Sequence, residues 1–376
     1  MRVALAGLAI ALLLGGPALA ADWPRTVTDV FGREVEIPRE PHRVLLAEGF
    51  QLLFLALLDR DPVGLLAAWG GDLKRFDAPT YELFRSRFPA LAEVPVVGSG
   101  SGETFSLEAS LAAEPDLALV SSWQVPAGPE DPLILQLSAA GIPVVVTDFY
   151  QRPDRHVVAG LRAMGRALGR EPAAEAFIAF FAERMERLKA GMREPPPWRP
   201  RTMLHAYPGV WPCCWSAGSE GIGSYLDLLG AINIGAEQYP SANGGLLNLE
   251  FVIAQDPQVY VVTGLPGTGK PGSLEIGTGI DEATAQASLA ELVQVPGIAE
   301  LDAVRAGRAH GLWNFIISTP IAIAGLEALA SWLQPERFAA LDPAATLREI
   351  NQRFLAAPLN GTYWVSVGAP PAAGGG

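Results

Sequence analysis

Residues 105–123 read FSLEASLAAEPDLALVSSW, and residues 247–265 read LNLEFVIAQDPQVYVVTGL. When residue 105 is laid over residue 247, Leu107 meets Leu249, Glu108 meets Glu250, Ala112 meets Ala254, Pro115 meets Pro257 and Val120 meets Val262. Each copy carries a helical segment, a turn at Pro, and an apolar run of the kind that forms a strand buried on both faces of a parallel sheet. Shared Leu-Glu and Pro positions, beyond shared apolar ones, argue for two related α/β lobes in one chain.

The flanking sequence agrees. TVTDVFGREVEIP predicts a hairpin turning at Phe31-Gly32-Arg33, after which strand-like runs (HRVLLAEG, PVGLLAAW, VPVVG, DLALVSS, PVVVTDFY) alternate with helix-like ones (FQLLFLALL and others). Such alternation calls for parallel strands with helical crossovers. Residues 152–194 hold no strand signal: Val157, Leu161, Met164 and Leu168 recur at helical spacing, the pattern resumes after Pro172 with Ala174, Phe177, Phe181 and Leu188, and EPPPWRP stops it. The predicted fold is two Rossmann-like α/β lobes with mainly parallel sheets, bridged by one long α-helical linker. The boundaries expected are a signal peptide over 1–20, an N-terminal lobe over 21–151, a linking helix over 152–194, a C-terminal lobe over 195–357 and a flexible tail over 358–376.

The opening MRVALAGLAIALLLGGPALA has one early Arg, an apolar stretch and a small-residue ending, the pattern of a cleaved secretory leader. No Cys stands at the cleavage position to take a lipid. The chain is therefore expected in the periplasm as an unanchored monomer. With 49% hydrophobic and 18% charged residues it can bury large cores, and at a net charge of −13 it has no basic run to meet nucleic acid.

GLPGTGKP, residues 264–271, follows an apolar strand and resembles a phosphate-cradling loop. Pro271 stands where that motif needs Ser or Thr, removes an amide, and biases Lys270 toward extended backbone. The repeat offers another reading. It makes this loop the second lobe's copy of SSWQVPA, a strand exit of the sort that faces a ligand in open α/β sheets. No H-E-x-x-H and no G-x-S-x-G occurs, and no enzyme is expected.

The ordered set TDVFGREVEIPREPHRVLL, FSLEASLAAEPDLALV, MGRALGREPAAEAF, SYLDLLGAINIGAE, LNLEFVIAQDPQVYVV, LDAVRAGRAHGLW and WLQPERF, spread over residues 26–355, resembles the periplasmic substrate-binding proteins of ABC importers for iron-siderophores, heme and cobalamin. The resemblance implies capture of one ligand between lobes that close little, and delivery to an inner-membrane ABC permease. It implies no resident cofactor, and a cargo of the Fe(III)-siderophore kind, with cobalamin or heme as the alternative. In this family one acidic residue per lobe docks to the permease, and the matching positions are Glu108 and Glu250. A carboxylate in a first helical turn also complements the helix dipole, worth ~0.3–1 kcal/mol.

Residues at strand exits are the cleft candidates: Glu48, Phe50, Trp69, Trp123 and Tyr150 in the first lobe, and Tyr207, Trp211, Cys213, Cys214, Trp215, Lys270 and Trp313 in the second. So many rings at strand exits suit a large, partly aromatic ligand. The four His (His42, His156, His205, His310) do not suggest a bare-ion site, and His205 stays open as an axial heme ligand. Adjacent Cys213 and Cys214 leave three readings: a vicinal disulfide, two free thiols, or a soft-metal or ligand contact.

Overall fold

In the computed structural model, which describes residues 23–99, 104–211 and 213–367, the repeat is visible in the backbone. The helix Leu107–Ala112 is capped by Ser106, whose side chain accepts from the Ala109 amide; the helix Leu249–Gln255 is capped by Asn248, which accepts from the Glu250 amide. Just past them stand Glu114 (φ 47°) and Asp256 (φ 39°), two non-glycine residues with left-handed backbone at repeat-equivalent positions. L-residues pay roughly 1–2 kcal/mol for that conformation, and recurrence at matched positions marks one supersecondary unit used twice.

The N-terminal lobe begins with an antiparallel hairpin of β1 (Arg25–Thr28) and β2 (Glu34–Ile37). Its sheet is all parallel, in the order β4 (Leu66–Trp69), β3 (Val44–Leu46), β5 (Leu117–Ser121), β6 (Val144–Thr147). Along β5 the side chains divide by period two: Leu117 and Leu119 join one core, Ala118 and Val120 the other.

In the C-terminal lobe β7 (Arg201–His205) pairs in parallel with β9 (Ile232–Asn233) and β11 (Val259–Gly264), and β11 with β13 (Ala309–Trp313). The order β9-β7-β11-β13 reproduces β4-β3-β5-β6, with the repeat strand third in each. Added edges make this sheet mixed: β8 (Trp215–Ala217) and β10 (Gly244–Leu246) form an antiparallel hairpin beside β7, and β15 (Trp364–Ser366) pairs antiparallel with β13. Two short strands, β12 (Gly277–Thr278) and β14 (Gly361–Thr362), form a separate antiparallel pair.

Two expectations need correction. Residues 361–366, assigned to the tail, are the strands β14 and β15, and Trp364 lies opposite Leu312 within the C-terminal sheet. The linker is two helices, Pro153–Ala167 and Glu171–Gly191, broken at Gly169 (φ 69°). The first half packs on β6 and belongs to the N-terminal lobe. Gly165 permits the tight fold-back, since a Cβ there would lie 2.5 Å from that of Ala174. The second half is clamped at both ends: Arg170 pairs with Glu40 and Asp59 of the first lobe, and buried Arg184 pairs with Glu349, with Glu327 3.9 Å away. The expected leader, residues 1–20, and the last nine residues lie outside the described residues. Among the described residues no helix is long and apolar enough to cross a membrane.

Candidate functional site

Segments that follow β3, β4 and β6 meet β12 and the segments that follow β8 and β13, and rings close the floor between them. Phe50 stacks on Phe315 of the other lobe with ring centroids 3.9 Å apart, and Phe76 tilts against Phe315 at 6.2 Å. Further along the junction, Oγ1 of Thr80 and Oγ1 of Thr278 lie 2.5 Å apart, and Arg152 bridges to Glu220 across the lobes at 2.7 Å.

Above this floor stands a rim of partly exposed rings. Tyr150 is 37% exposed on the first lobe and Trp211 43% exposed on the second. Tyr207 lies 5.0 Å from Trp211, which meets Trp215 edge-on at 5.3 Å. The Tyr207 backbone has φ 53°, which turns the chain sharply after β7, and its hydroxyl accepts a 2.6 Å bond from Asn314. Half-buried Trp123 sits on the first lobe near Glu48. Exposed aromatic bodies with a polar tip make a surface ready to stack a planar or macrocyclic ligand.

Carboxylates supply the charge. Glu48, just past β3, accepts a very short bond from Ser121, and burial, then the charge of Asp72, pushes its pKa up to about 7 against the help of Ser121 and Trp123. Burial also raises Asp72, but its Oδ1 accepts from the Gly49 amide at 2.6 Å and its Oδ2 from that of Phe50 at 3.3 Å, so Asp72 is the better holder of the pair's negative charge. Asp77 is likewise pushed up to about 6 by burial, offset by Thr80 and by the indole of Trp313. Oδ2 of Asp77 and Nε1 of Trp313 are both buried without a regular hydrogen-bond partner. Among basic side chains near the junction, Arg152 is committed to Glu220, while Lys74 and Arg75 lie over the rings of Tyr81 and Phe76.

A carboxyl that titrates higher in the folded state than in the unfolded chain makes stability fall as pH rises through that interval. For Glu48 the window runs from its ordinary 4.5 to about 7. Glu48→Gln is expected to remove a pH-dependent loss on the order of 2–3 kcal/mol between pH 5 and 8. Urea midpoints of both proteins across that range check it; parallel curves would show that Glu48 is not the titrating group.

The structure places the remaining candidates unevenly. Trp69 is wholly buried and stacks on Tyr81 at 6.0 Å, and Trp313 is wholly buried against Tyr363 and Phe315. Both are buried and offer no exposed face to a ligand: Trp69 ends β4, and Trp313 ends β13 with its indole beside Asp77 of the first lobe. Lys270 is exposed, on a loop whose chemistry is already satisfied: the Gly267 and Gly269 amides and the Thr268 hydroxyl all donate to the Glu275 carboxylate. An internal carboxylate thus fills the nest that a phosphate would need. Cys213 and Cys214 are joined in a vicinal disulfide, Cys213 exposed and Cys214 buried. The four His do not converge. His42 is exposed; His156 bonds Asp148; His310 bonds Ser366 and stacks on Trp332; His205 bonds Tyr260, and burial pushes its pKa down to about 4. Asp72, Asp77, Ser121, Asn314 and the threonine pair went unseen in the sequence, where lone polar residues after strands carry no signal of their partners. Glu108 and Glu250 are exposed in the first turns of the repeated helices, and neither has an ion-pair partner among the described residues.

Comparison with known proteins fits this architecture. A TroA-like periplasmic binding protein named FepB from Veillonella parvula superposes with a TM-score of 0.81 at 24% identity, covering 92% of this chain and all of that one. A periplasmic heme-binding protein from Pseudomonas aeruginosa gives 0.55 at 20% identity, covering 88% of this chain and 100% of its own. Two curated relatives, cobalamin-binding proteins of Halobacterium salinarum strains, are 27% identical over 248 residues, 65% of this chain and 60% of theirs, so the match spans less than two thirds of their length. Residues 55–312 match the periplasmic binding protein family, and the chain belongs to it.

Proposed function

We propose that the protein captures a metal chelate at the ring-lined junction of its lobes and hands it to an ABC permease of the inner membrane. The observation that carries the reading is the partly exposed ladder Tyr207–Trp211–Trp215 on the second lobe, with Tyr150 of the first lobe beside Tyr207 and the Glu48 carboxyl close to Tyr150 and Trp123. Aromatic faces bind the organic periphery of a chelate, and the acidic floor disfavours a strongly anionic one. The cargo that fits is a neutral or cationic chelate: a corrinoid such as cobalamin, in keeping with the curated relatives, or a neutral ferric hydroxamate siderophore. An anionic catecholate siderophore fits less well.

Protein isolated from its native periplasm and denatured should release a coloured chelate identifiable by absorption spectrum and mass. A metal-free, uncoloured small molecule at one equivalent would overturn the reading.

Docking to the permease is assigned to Glu108 and Glu250, each followed three residues later by an exposed aliphatic side chain, Leu111 and Ile253, at equivalent repeat positions. Glu108→Ala together with Glu250→Ala is expected to reduce cellular uptake at least on the order of tenfold, while chelate affinity of the purified protein stays unchanged. Uptake at the wild-type rate would remove these residues from docking.

A further inference from the structure

Behind Tyr207 and Trp211 the C-terminal lobe holds a cavity of about 240 Å³, whose walls include His205, Trp211, Cys213, Tyr260, Leu292 and Ile298. Every lining residue lies between positions 205 and 298, so the cavity belongs to one lobe and not to the junction. Three soft donors meet at its edge: a ring nitrogen of His205 and the sulfurs of Cys213 and Cys214 all lie within 4.8 Å of one another. Nδ1 of His205 is held by the Tyr260 hydroxyl at 2.7 Å, whereas Nε2 is buried without a hydrogen-bond partner. A buried polar atom left without a partner is rare and calls for an explanation.

We propose that, when the Cys213–Cys214 disulfide is reduced, His205, Cys213 and Cys214 form a binding site for one soft d10 cation of the copper(I) or cadmium(II) kind. Two thiolates and an imidazole are the donor set that such ions select over calcium or magnesium. The donors of a tetrahedral site stand roughly 3.5–4 Å apart, so the two sulfurs, bonded to each other in the oxidised chain, separate on reduction to receive the ion, with the His205 ring already within reach. The tautomer required is the one in which Nδ1–H donates to the Tyr260 oxygen, freeing the Nε2 lone pair. Such an outer partner is the usual companion of a ligating His.

The reductant is a dithiol. Its thiolate attacks the sulfur of exposed Cys213, forming a mixed disulfide and releasing Cys214 as thiolate; its second thiolate then displaces Cys213 and closes the reductant's own disulfide. The protein disulfide gains two electrons and two protons, and the dithiol loses the same. Metal binding afterwards releases the two thiol protons to solvent.

The site does not rest on the identity of the cargo between the lobes, and its test is separate. The full chain, reduced with a dithiol and freed of it under anaerobic conditions, is titrated with cadmium(II). One equivalent should bind with an ultraviolet thiolate-to-cadmium charge-transfer band that the oxidised protein lacks, and a cadmium-113 resonance should report two sulfurs and one nitrogen. His205→Gln should weaken cadmium binding on the order of tenfold or more while the charge-transfer band survives. The cadmium-113 spectrum of the wild-type chain serves if that variant folds poorly. No binding by the reduced chain, equal binding by the oxidised one, or a resonance of sulfur-only ligation would overturn the proposal.

Discussion

Trp211→Ala is expected to weaken chelate binding on the order of a hundredfold while leaving the melting temperature almost unchanged. The two outcomes follow from one fact: the indole is 43% exposed and touches its own lobe chiefly through Tyr207 and Trp215. A ring packed so lightly contributes little to the folded state, yet it offers a large rigid face at low entropic cost, as rings at binding hot spots do. Trp215→Ala should share the binding loss but also lower stability, because Trp215 is half-buried and pairs in β8 with Leu246 of β10. Tryptophan-emission titrations and thermal melts of both variants separate these effects. Equal affinity in Trp211→Ala and wild type would place the cargo elsewhere.

Phe50→Ala should give the largest stability change, about 3–5 kcal/mol, the usual range for removing a fully buried phenyl ring. Phe50 is buried within one lobe's core and its face covers Phe315 of the other at 3.9 Å. Its loss leaves a cavity at the contact that joins the lobes. The second half of the linker, the Arg152–Glu220 bridge and the Thr80–Thr278 contact then carry most of the coupling, so denaturant unfolding should broaden or split into two transitions. A single transition shifted by under about 1 kcal/mol would mean that the lobes are coupled by the helix and not by the junction.

How far the sequence could be read depended on whether the information was local. The repeat was legible because its elements are local: a capped helix, a turn at Pro and a two-face-buried strand. Even so, the matched left-handed residues Glu114 and Asp256 could be found only in the backbone. Gly169 announced the break in the linker, but helical spacing on both sides of it suggested one element, since periodicity does not report that the first half folds back onto β6. The segment WVS at 364–366 carried too short a signal to be separated from the Gly- and Pro-rich end, and it became a strand only through β13, more than fifty residues away.

At the site, rings at strand exits were visible, but exposure was not. Trp69 and Trp211 are the same residue type after similar apolar runs, but Trp69 is the last residue of β4 and is buried, whereas Trp211 lies in the connection between β7 and β8 and is bare. The acidic character was hidden for another reason. Asp72 and Asp77 look like ordinary helix-start residues, and their meaning lies in burial next to Glu48 and Trp313. The cysteine pair stood out at once, whereas its neighbour His205 depended on the geometry of β7 and β11.

The most direct measurement of the central claim is a set of parallel tryptophan-emission titrations of the purified chain with cyanocobalamin, a neutral ferric hydroxamate siderophore, a ferric catecholate siderophore and hemin, at pH 6 and pH 8. Saturable one-to-one quenching by a neutral chelate, much weaker for the catecholate and lost in Trp211→Ala, is the predicted result. Absence of saturable binding by all four, or tightest binding by the catecholate, would contradict the account.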